Sequence, residues 1–278
     1  MTESVVKKFL LRSDGRCIDV ALDHAAFGGA GLFHRPVPEL AALVAAAGAD
    51  AIQLTPEDVE RYRAHQGGPH QPPVALRADA ANLYDETAET LTVSRQTLTD
   101  RHLGAASCLV ANLFRISGSD RGSDVESECR RQLDEIARLA RAWDLPLMIE
   151  ALVLTPEAGR YAGSFEPADV IGVTKAAVSA GADILKVDPT RRPEDFTGVI
   201  EAAEGRPVLV RGGERVDDRV LLERTARLMD AGAAGVVYGR NVFQHPRPEA
   251  ILRALAAIVH DGATVTAALQ IVASGPEA

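Results

Sequence analysis

Short apolar segments alternate along the chain with longer segments in which hydrophobic residues recur at helical spacing. The apolar segments have the length of buried strands and are bounded by Gly, Pro or polar residues. Several helical segments end in a glycine-containing turn, such as AGAD at 47–50 and 180–183, as expected where a helix gives way to a strand. Eight strands are predicted, at Cys17–His24, Ala51–Thr55, Val74–Asp79, Ser107–Phe114, Pro146–Leu152, Ile184–Asp188, Pro207–Gly213 and Gly235–Asn241.

This alternation, repeated about eight times in 278 residues, predicts a (β/α)8 barrel that forms a single domain over residues 1–278. The alternative is an open doubly wound sheet, but no GxGxxG motif follows the first strand. A short N-terminal extension of about 1–16 and a frayed tail of about 274–278 are expected, and HQGGPHQPP at 65–73 is a predicted loop. The clearest helices are predicted at Asp124–Ala142, Ala168–Ser179, Asp217–Ala231 and Arg247–Ile258.

The alternation within each strand predicts which side chains enter the barrel. Alternate residues face the surrounding helices and must be apolar, whereas the others face the barrel axis. In the sixth strand Leu185 and Val187 take the outer positions, so Lys186 points inward. In the fourth strand the alternation does not show which residues face inward, and Asn112 faces inward in one of the two possible orientations. Among the other side chains sent inward are Asp19, Asp23, Arg77, Asp79, Glu150, Asp188 and Arg211.

So many charges in a barrel interior require an explanation, because branched aliphatic residues normally fill it. Buried charges are unfavourable unless they pair with one another or bind a ligand. A network that satisfies itself is one interpretation, and it suits Arg77 and Asp79. For the set as a whole the sequence favours an active site at the C-terminal mouth of the barrel.

Lysine is rare in this chain, because only Lys7, Lys8, Lys175 and Lys186 occur among the 30 basic residues. Only Lys186 lies on a predicted strand. A buried amine near other cations is favoured in its neutral form, which is the form that attacks a carbonyl to make a Schiff base. An ion pair with a neighbouring carboxylate explains the same position equally well.

Two glycine-containing segments end the last two strands, RGG at 211–213 and GRN at 239–241. Barrels often bind phosphate there through exposed backbone N–H groups, with arginine adding charge. The alternative is simple turn chemistry. The predicted phosphate-binding residues are Arg211, Gly212, Gly213, Gly239 and Arg240.

Composition and charge exclude several other classes. The formal net charge of -9 argues against a nucleic-acid surface, and no apolar run has the length of a membrane span. The seven histidines are scattered without HxH or HExxH spacing, so neither a metal site nor a cofactor is predicted. Three cysteines without metal-like spacing, Cys17, Cys108 and Cys129, indicate buried thiols in a reducing cytoplasm.

Four motifs occur in order: LDHAAFGG at 22–29, ADILKVD at 182–188, RPVLVRGG at 206–213 and GAAGVVYGRNVFQ at 232–244. Together they resemble the archaeal-type class I fructose-bisphosphate aldolase family, which groups with deoxyribose-phosphate and tagatose-bisphosphate aldolases. The resemblance covers roughly 17–271. It implies a (β/α)8 barrel, a Schiff base on Lys186, Asp23 near the reacting carbons, and phosphate bound by the two glycine-containing loops.

One departure from the family pattern matters. Family members similar to the bisphosphate aldolases carry an acid/base tyrosine on the fifth strand, where this chain reads MIEALVLTP and aligns Leu152. Glu150 is the inward polar residue one step deeper, and Tyr161 in the following loop is a second candidate. Arg77 is a candidate ligand for an unusual substrate group such as a carboxylate.

The resulting prediction is a class I aldolase, a metal-independent carbon–carbon lyase, that joins or cleaves a phosphorylated ketone donor such as dihydroxyacetone phosphate and an aldehyde. Lys186 attacks the ketone, Asp23 or Glu150 moves the proton, and Asn112 contributes to substrate binding. The missing tyrosine favours a specialised biosynthetic or sugar-phosphate aldolase.

Other interpretations remain open. A transaldolase or a thiolase-like acyl transferase would keep the imine and release no free aldehyde. A silent phosphosugar-binding barrel would gain thermal stability with ligand but give no borohydride-trappable adduct. A homo-oligomer is expected from family precedent and from apolar residues at Phe27–Phe33, which explain a pocket entrance equally well.

Overall fold

Eight of the apolar segments form parallel strands that close into a ring. The computed structural model describes residues 11–64, 71–85, 90–117, 122–157 and 160–274. The barrel strands are β1 Cys17–Ala21, β2 Ala51–Leu54, β3 Val74–Arg77, β6 Cys108–Ile116, β7 Leu147–Glu157, β9 Ile184–Val187, β10 Val208–Arg211 and β11 Gly235–Tyr238. Each strand pairs with its neighbours in the order β1, β2, β3, β6, β7, β9, β10, β11 and back to β1, so the predicted (β/α)8 barrel is confirmed.

Helices occupy the connections, and the four clearest predicted ones agree with the structure to within two residues. The helices are α1 Val37–Ala46, α2 Pro56–Ala64, α3 Asp100–Leu103, α4 Gly122–Ala142, α5 Pro167–Ser179, α6 Thr197–Ala202, α7 Asp218–Asp230, α8 Arg240–Phe243, α9 Pro248–Val259 and α10 Val265–Ser274. Proline occupies the first helical turn of α1, α5 and α9, where its missing N–H breaks no hydrogen bond. None of the helices in the described ranges is long and apolar enough to cross a membrane.

Two antiparallel hairpins extend beyond the ring. After the third barrel strand, β4 (Asp79–Ala81) pairs with β5 (Val93–Arg95), and β7 runs past the barrel to pair with β8 (Arg160–Gly163). The backbone N–H of Leu91 donates a hydrogen bond to the Tyr161 hydroxyl at 3.2 Å, which ties the second hairpin to the first. Tyr161 is therefore held between the hairpins and does not line the pocket described below.

Most barrel strands end earlier than predicted. β1 ends at Ala21, because the chain turns into a 3-10 helix at His24–Phe27, and β10 ends at Arg211. In contrast, β6 and β7 run longer than predicted, because they stay paired as far as Ile116 and Leu154. The first ten residues, most of the predicted 65–73 loop and residues 275–278 lie outside the described part of the chain, so the predicted extension and tail remain predictions.

The predicted parity holds in the packing. Residues such as Ile18, Leu76 and Leu185 belong to the large apolar cluster between strands and helices. A second, smaller cluster fills the amino-terminal half of the barrel interior with residues such as Met148 and Ile184. The remaining inward positions lie towards the carboxyl ends of the strands, and there the charged residues collect.

Candidate active site

Two neighbouring barrel strands bring a lysine and a carboxylate together. Glu150 on β7 lies directly beside Lys186 on β9 in the parallel register. The Lys186 Nζ donates a hydrogen bond to Glu150 Oε2 at 2.9 Å, and both side chains are almost fully buried. Lys175 is exposed on α5, so among the described residues only Lys186 offers an amine to the barrel interior.

Three cations surround Glu150. Besides Lys186, its carboxylate contacts Arg77 at 2.5 Å and Arg211 at 3.2 Å. Burial alone would raise the pKa of Glu150, but Lys186, Arg77 and Arg211 outweigh burial and hold the pKa well below its usual range. Glu150 is therefore ionised at neutral pH, and its charge offsets those of its neighbours.

Arg77 lies beneath this pair with no exposed surface. Its guanidinium contacts Asp23 at 2.7 Å and Asp79 at 3.2 Å, in addition to Glu150. Asp79 also accepts hydrogen bonds from the backbone N–H and the side-chain amide of Asn112, at 2.7 and 2.9 Å. Arg77 is thus hydrogen-bonded to three carboxylates and does not line the pocket. Asn112 does line the pocket.

A glutamine on the second strand links the lysine to Asp23. Gln53 accepts a long hydrogen bond from Lys186 at 3.5 Å and donates one to Asp23. Burial acts to raise the pKa of Asp23, but Arg77 and then Lys186 outweigh it, so the pKa is lowered. Gln53 was not among the predicted site residues. The alternation in AIQLT is the signal that places it inside the barrel, because Ile52 and Leu54 must face the helices.

The buried charged residues around Lys186 and Glu150, called the charged layer below, form the floor of a small open pocket at the C-terminal mouth of the barrel. The predicted phosphate residues Gly212, Gly213, Gly239 and Arg240 lie together in its wall, with Arg211. Close approach explains the glycine at 239, since a Cβ there would lie 2.5 Å from the imidazole of His24.

The two arginines of this wall differ in their partners. Arg211 is bound by Asp188 at 3.0 Å and by Glu150, both buried. Arg240 is paired at 3.7 Å with Glu214, whose side chain is 79% exposed, and its buried Nε has no hydrogen-bond partner in the described ranges. Arg240 is therefore the wall cation most available to an anionic ligand.

Aromatic side chains that the sequence analysis did not select complete the wall. The rings of His24 and Tyr84 stack with centroids 6.1 Å apart, and Phe27 lies against the Arg77 guanidinium. Burial, the largest effect, lowers the pKa of His24 to about 4, so this imidazole is neutral. Phe27 lines the pocket, and Leu152 does so where the resemblance expects a tyrosine.

Comparison with known proteins gives consistent results. Residues 17–245 match the family model described as DeoC/LacD family aldolase. An uncharacterised aldolase of Saccharolobus solfataricus is 32% identical, with 98% of this chain and 99% of the relative covered. The 2-amino-3,7-dideoxy-D-threo-hept-6-ulosonate synthase of Halobacterium salinarum is 30% identical, with 93% and 92% covered. The crystal structure of an archaeal fructose 1,6-bisphosphate aldolase is similar with a TM-score of 0.76 at 24% identity, with 93% of this chain and 99% of that chain covered.

Proposed function

This chain belongs to the DeoC/LacD aldolase family, and from that membership we propose that it joins or cleaves a phosphorylated ketone donor and an aldehyde through an imine on Lys186. The family resemblance expected from the sequence is confirmed, and with it membership of an aldolase family. A carbon–carbon lyase of the Schiff-base, metal-independent class is part of the proposal. The observation that carries the proposal is the buried Lys186–Glu150 pair at the floor of the pocket.

Lys186 supplies the nucleophile in this proposal. Its amine lies in the pocket floor, within reach of a carbonyl that enters from the mouth. The ketone carbon gains a bond to Nζ, and the carbinolamine then loses water to give the imine. A protonated imine withdraws electrons from the neighbouring carbon–carbon bond, which is how a Schiff base lowers the barrier to aldol cleavage or addition.

Glu150 manages the proton of imine formation. It accepts a hydrogen bond from the lysine at 2.9 Å, so it is placed to receive the proton that the ammonium must release. Because its pKa is held low, it returns the proton readily to the carbinolamine oxygen that leaves as water. Asp23 is held in the same layer by a hydrogen bond from Gln53. Arg77 contacts Asp23 and Glu150 and so positions both carboxylates.

The phosphate of the donor is assigned to the wall formed by Gly212, Gly213, Gly239 and Arg240. The weakly paired guanidinium of Arg240 supports this assignment, and fixing the phosphate orients the ketone towards the lysine. Dihydroxyacetone phosphate is the proposed donor. The missing tyrosine suggests a specialised biosynthetic or sugar-phosphate aldolase, and this remains part of the proposal. A homo-oligomer is also part of it.

Borohydride trapping tests the function directly. The purified chain is treated with dihydroxyacetone phosphate and borohydride, and the modified peptide is identified by mass spectrometry. We expect a donor-sized adduct on Lys186, its loss in Lys186→Arg, and its retention in the exposed control Lys175→Arg. An adduct that persists in Lys186→Arg, or no adduct with a donor that nevertheless raises the melting temperature, would contradict the proposal in favour of another lysine or a binding-only barrel.

A further inference from the structure

Carbon–carbon bond formation needs a proton donor for the oxygen of the aldehyde, and the fifth strand does not provide one. At the place where a tyrosine is expected, the pocket wall has the apolar Leu152. The donor must line the same pocket as Lys186 and must hold a proton at neutral pH. Within the described residues, the pocket-lining groups that can exchange a proton are Asp23, His24, Tyr84, Glu150 and Lys186.

The carboxylates do not meet the second condition. The pKa of Glu150 and that of Asp23 are both lowered, since neighbouring cations outweigh burial, and both groups accept hydrogen bonds from Arg77. His24 is held as a neutral imidazole, which is a very weak acid. Lys186 is consumed by the imine. Tyr84 remains, and its hydroxyl is the only one among the described pocket-lining side chains.

Local packing fixes Tyr84 at the pocket wall. Its backbone N–H donates a hydrogen bond to the carbonyl of Phe27 at 2.9 Å, and its ring stacks on His24. The turn beneath it requires glycine, because a Cβ on Gly29 would lie 2.9 Å from the Tyr84 ring. Tyr84 is thus held through its backbone and through its ring, and a fixed position is what a catalytic group needs.

Two arginines place positive charge near Tyr84. The Arg240 guanidinium lies 5.7 Å from the centre of the Tyr84 ring. Burial alone would lower the pKa of Arg211. The pKa is raised instead, and the groups that raise it most are Asp188 and then Tyr84. Arg211 and Arg240 line the same pocket as Tyr84, and their positive charges can stabilise the negative charge that a tyrosine acquires when it gives up its proton.

We propose that Tyr84, reaching the pocket from the loop after the third barrel strand, is the acid/base residue of the aldol step in place of the absent fifth-strand tyrosine. This inference rests on the proposed Lys186 chemistry. In synthesis the enamine carbon attacks the aldehyde carbon, the carbonyl π electrons move to the aldehyde oxygen, and that oxygen takes the proton from the Tyr84 hydroxyl. The phenolate regains a proton from solvent. In cleavage these steps run in reverse: Tyr84 gives its proton to solvent, the phenolate takes the proton of the substrate hydroxyl, and the electron pair of the breaking carbon–carbon bond moves into the imine to give the enamine.

Tyr84→Phe separates this step from imine formation. We expect the variant to trap dihydroxyacetone phosphate on Lys186 and to exchange the donor's carbon-bound proton with deuterated water as the wild type does. Carbon–carbon bond formation with glycolaldehyde or glyceraldehyde 3-phosphate should fall by about 10²–10⁴-fold, the usual contribution of a general acid. If Tyr84 had only a structural role, the substitution would reduce donor trapping and carbon–carbon bond formation together.

Tyr161→Phe is the matched control, because that hydroxyl binds the Leu91 N–H outside the pocket. It should keep both activities. Full bond formation in Tyr84→Phe, or a parallel loss of trapping and bond formation, would overturn the role of Tyr84 while leaving the lysine chemistry intact. Failure of the wild type to trap the donor would instead contradict the proposed function.

Discussion

The two halves of the barrel interior differ completely although the same strands build them. Towards the amino ends of the strands, Met148 and Ile184 belong to an apolar cluster that is almost free of exposed surface. Two residues further along, Glu150 and Lys186 form an ion pair. Two residues of strand correspond to about 6–7 Å, so a single inward step changes the interior from hydrocarbon to charge.

The difference shows how a barrel supports a reactive layer. The apolar half is stable through burial and packing alone. The charged half is stable only because its members satisfy one another, with Arg77 held by three carboxylates and Glu150 by three cations. Substitutions in the apolar half should therefore change stability without changing chemistry, whereas substitutions in the charged half should change both.

Removing the charge of Glu150 should have the largest effect. Glu150→Gln leaves Lys186, Arg77 and Arg211 without the carboxylate they share, and breaking a buried pair from one side typically destabilises by about 3–5 kcal/mol. The rate of donor trapping should also fall by roughly 10²–10³-fold, because the lysine loses its proton acceptor. Urea unfolding and the kinetics of borohydride trapping measure the two effects.

The control lies two residues earlier on the same strand. Met148→Leu conserves volume in the apolar half and should change the free energy of unfolding by less than about 1.5 kcal/mol, with trapping unaltered. Equal effects of the two substitutions on trapping would mean that the layers are not chemically separate.

A cavity in the apolar half should separate stability from chemistry. Ile184→Ala removes a fully buried side chain two residues before the lysine, and such truncations destabilise by about 2–4 kcal/mol. Trapping at Lys186 below the unfolding temperature should remain near the wild-type rate. A large loss of trapping in the folded variant would show that packing in the lower layer sets the position of the lysine.

The charged layer was largely predictable from the sequence, because strand parity is a strict constraint. Lys186, Glu150 and Asp23 were placed inside by the apolar residues that alternate with them, and the structure brings all three together. Tyr84 was not predictable in this way. It lies in a turn, where no periodicity tells which way a side chain points, and only the packing of that turn on Phe27 brings it to the pocket.

The position of Arg77 also needed the structure. Parity placed it inside, and a substrate carboxylate was an attractive partner for it. Only the three-dimensional arrangement shows that Asp23, Asp79 and Glu150 already bind all three nitrogens of its guanidinium below the pocket. Sequence spacing gives the side of a strand that a residue occupies, but not which of several inward charges will pair.

Asp19 lies between the apolar half of the barrel interior and the charged layer. It is fully buried, and neither carboxylate oxygen has a hydrogen-bond partner in the described part of the chain. Burial raises its pKa to about 7, with Lys186 and Arg77 acting in the opposite direction and Asp23 and Glu150 in the same one. Asp19 therefore belongs neither to the apolar half nor to the ion pairs of the charged layer.

Replacing Asp19 by asparagine should give the smallest effect, and one that depends on pH. An unfolded aspartate titrates near pH 4, so between about pH 4 and 7 the folded protein binds the extra proton and the wild type loses stability as pH rises. Asp19→Asn lacks this loss and should gain roughly 1–3 kcal/mol relative to wild type between pH 4.5 and pH 8. Urea unfolding at the two pH values measures the gain, with exposed Asp230→Asn as the control. If both variants showed the same pH dependence, Asp19 would be ionised and satisfied in solution, and the charged layer would extend one step deeper into the barrel.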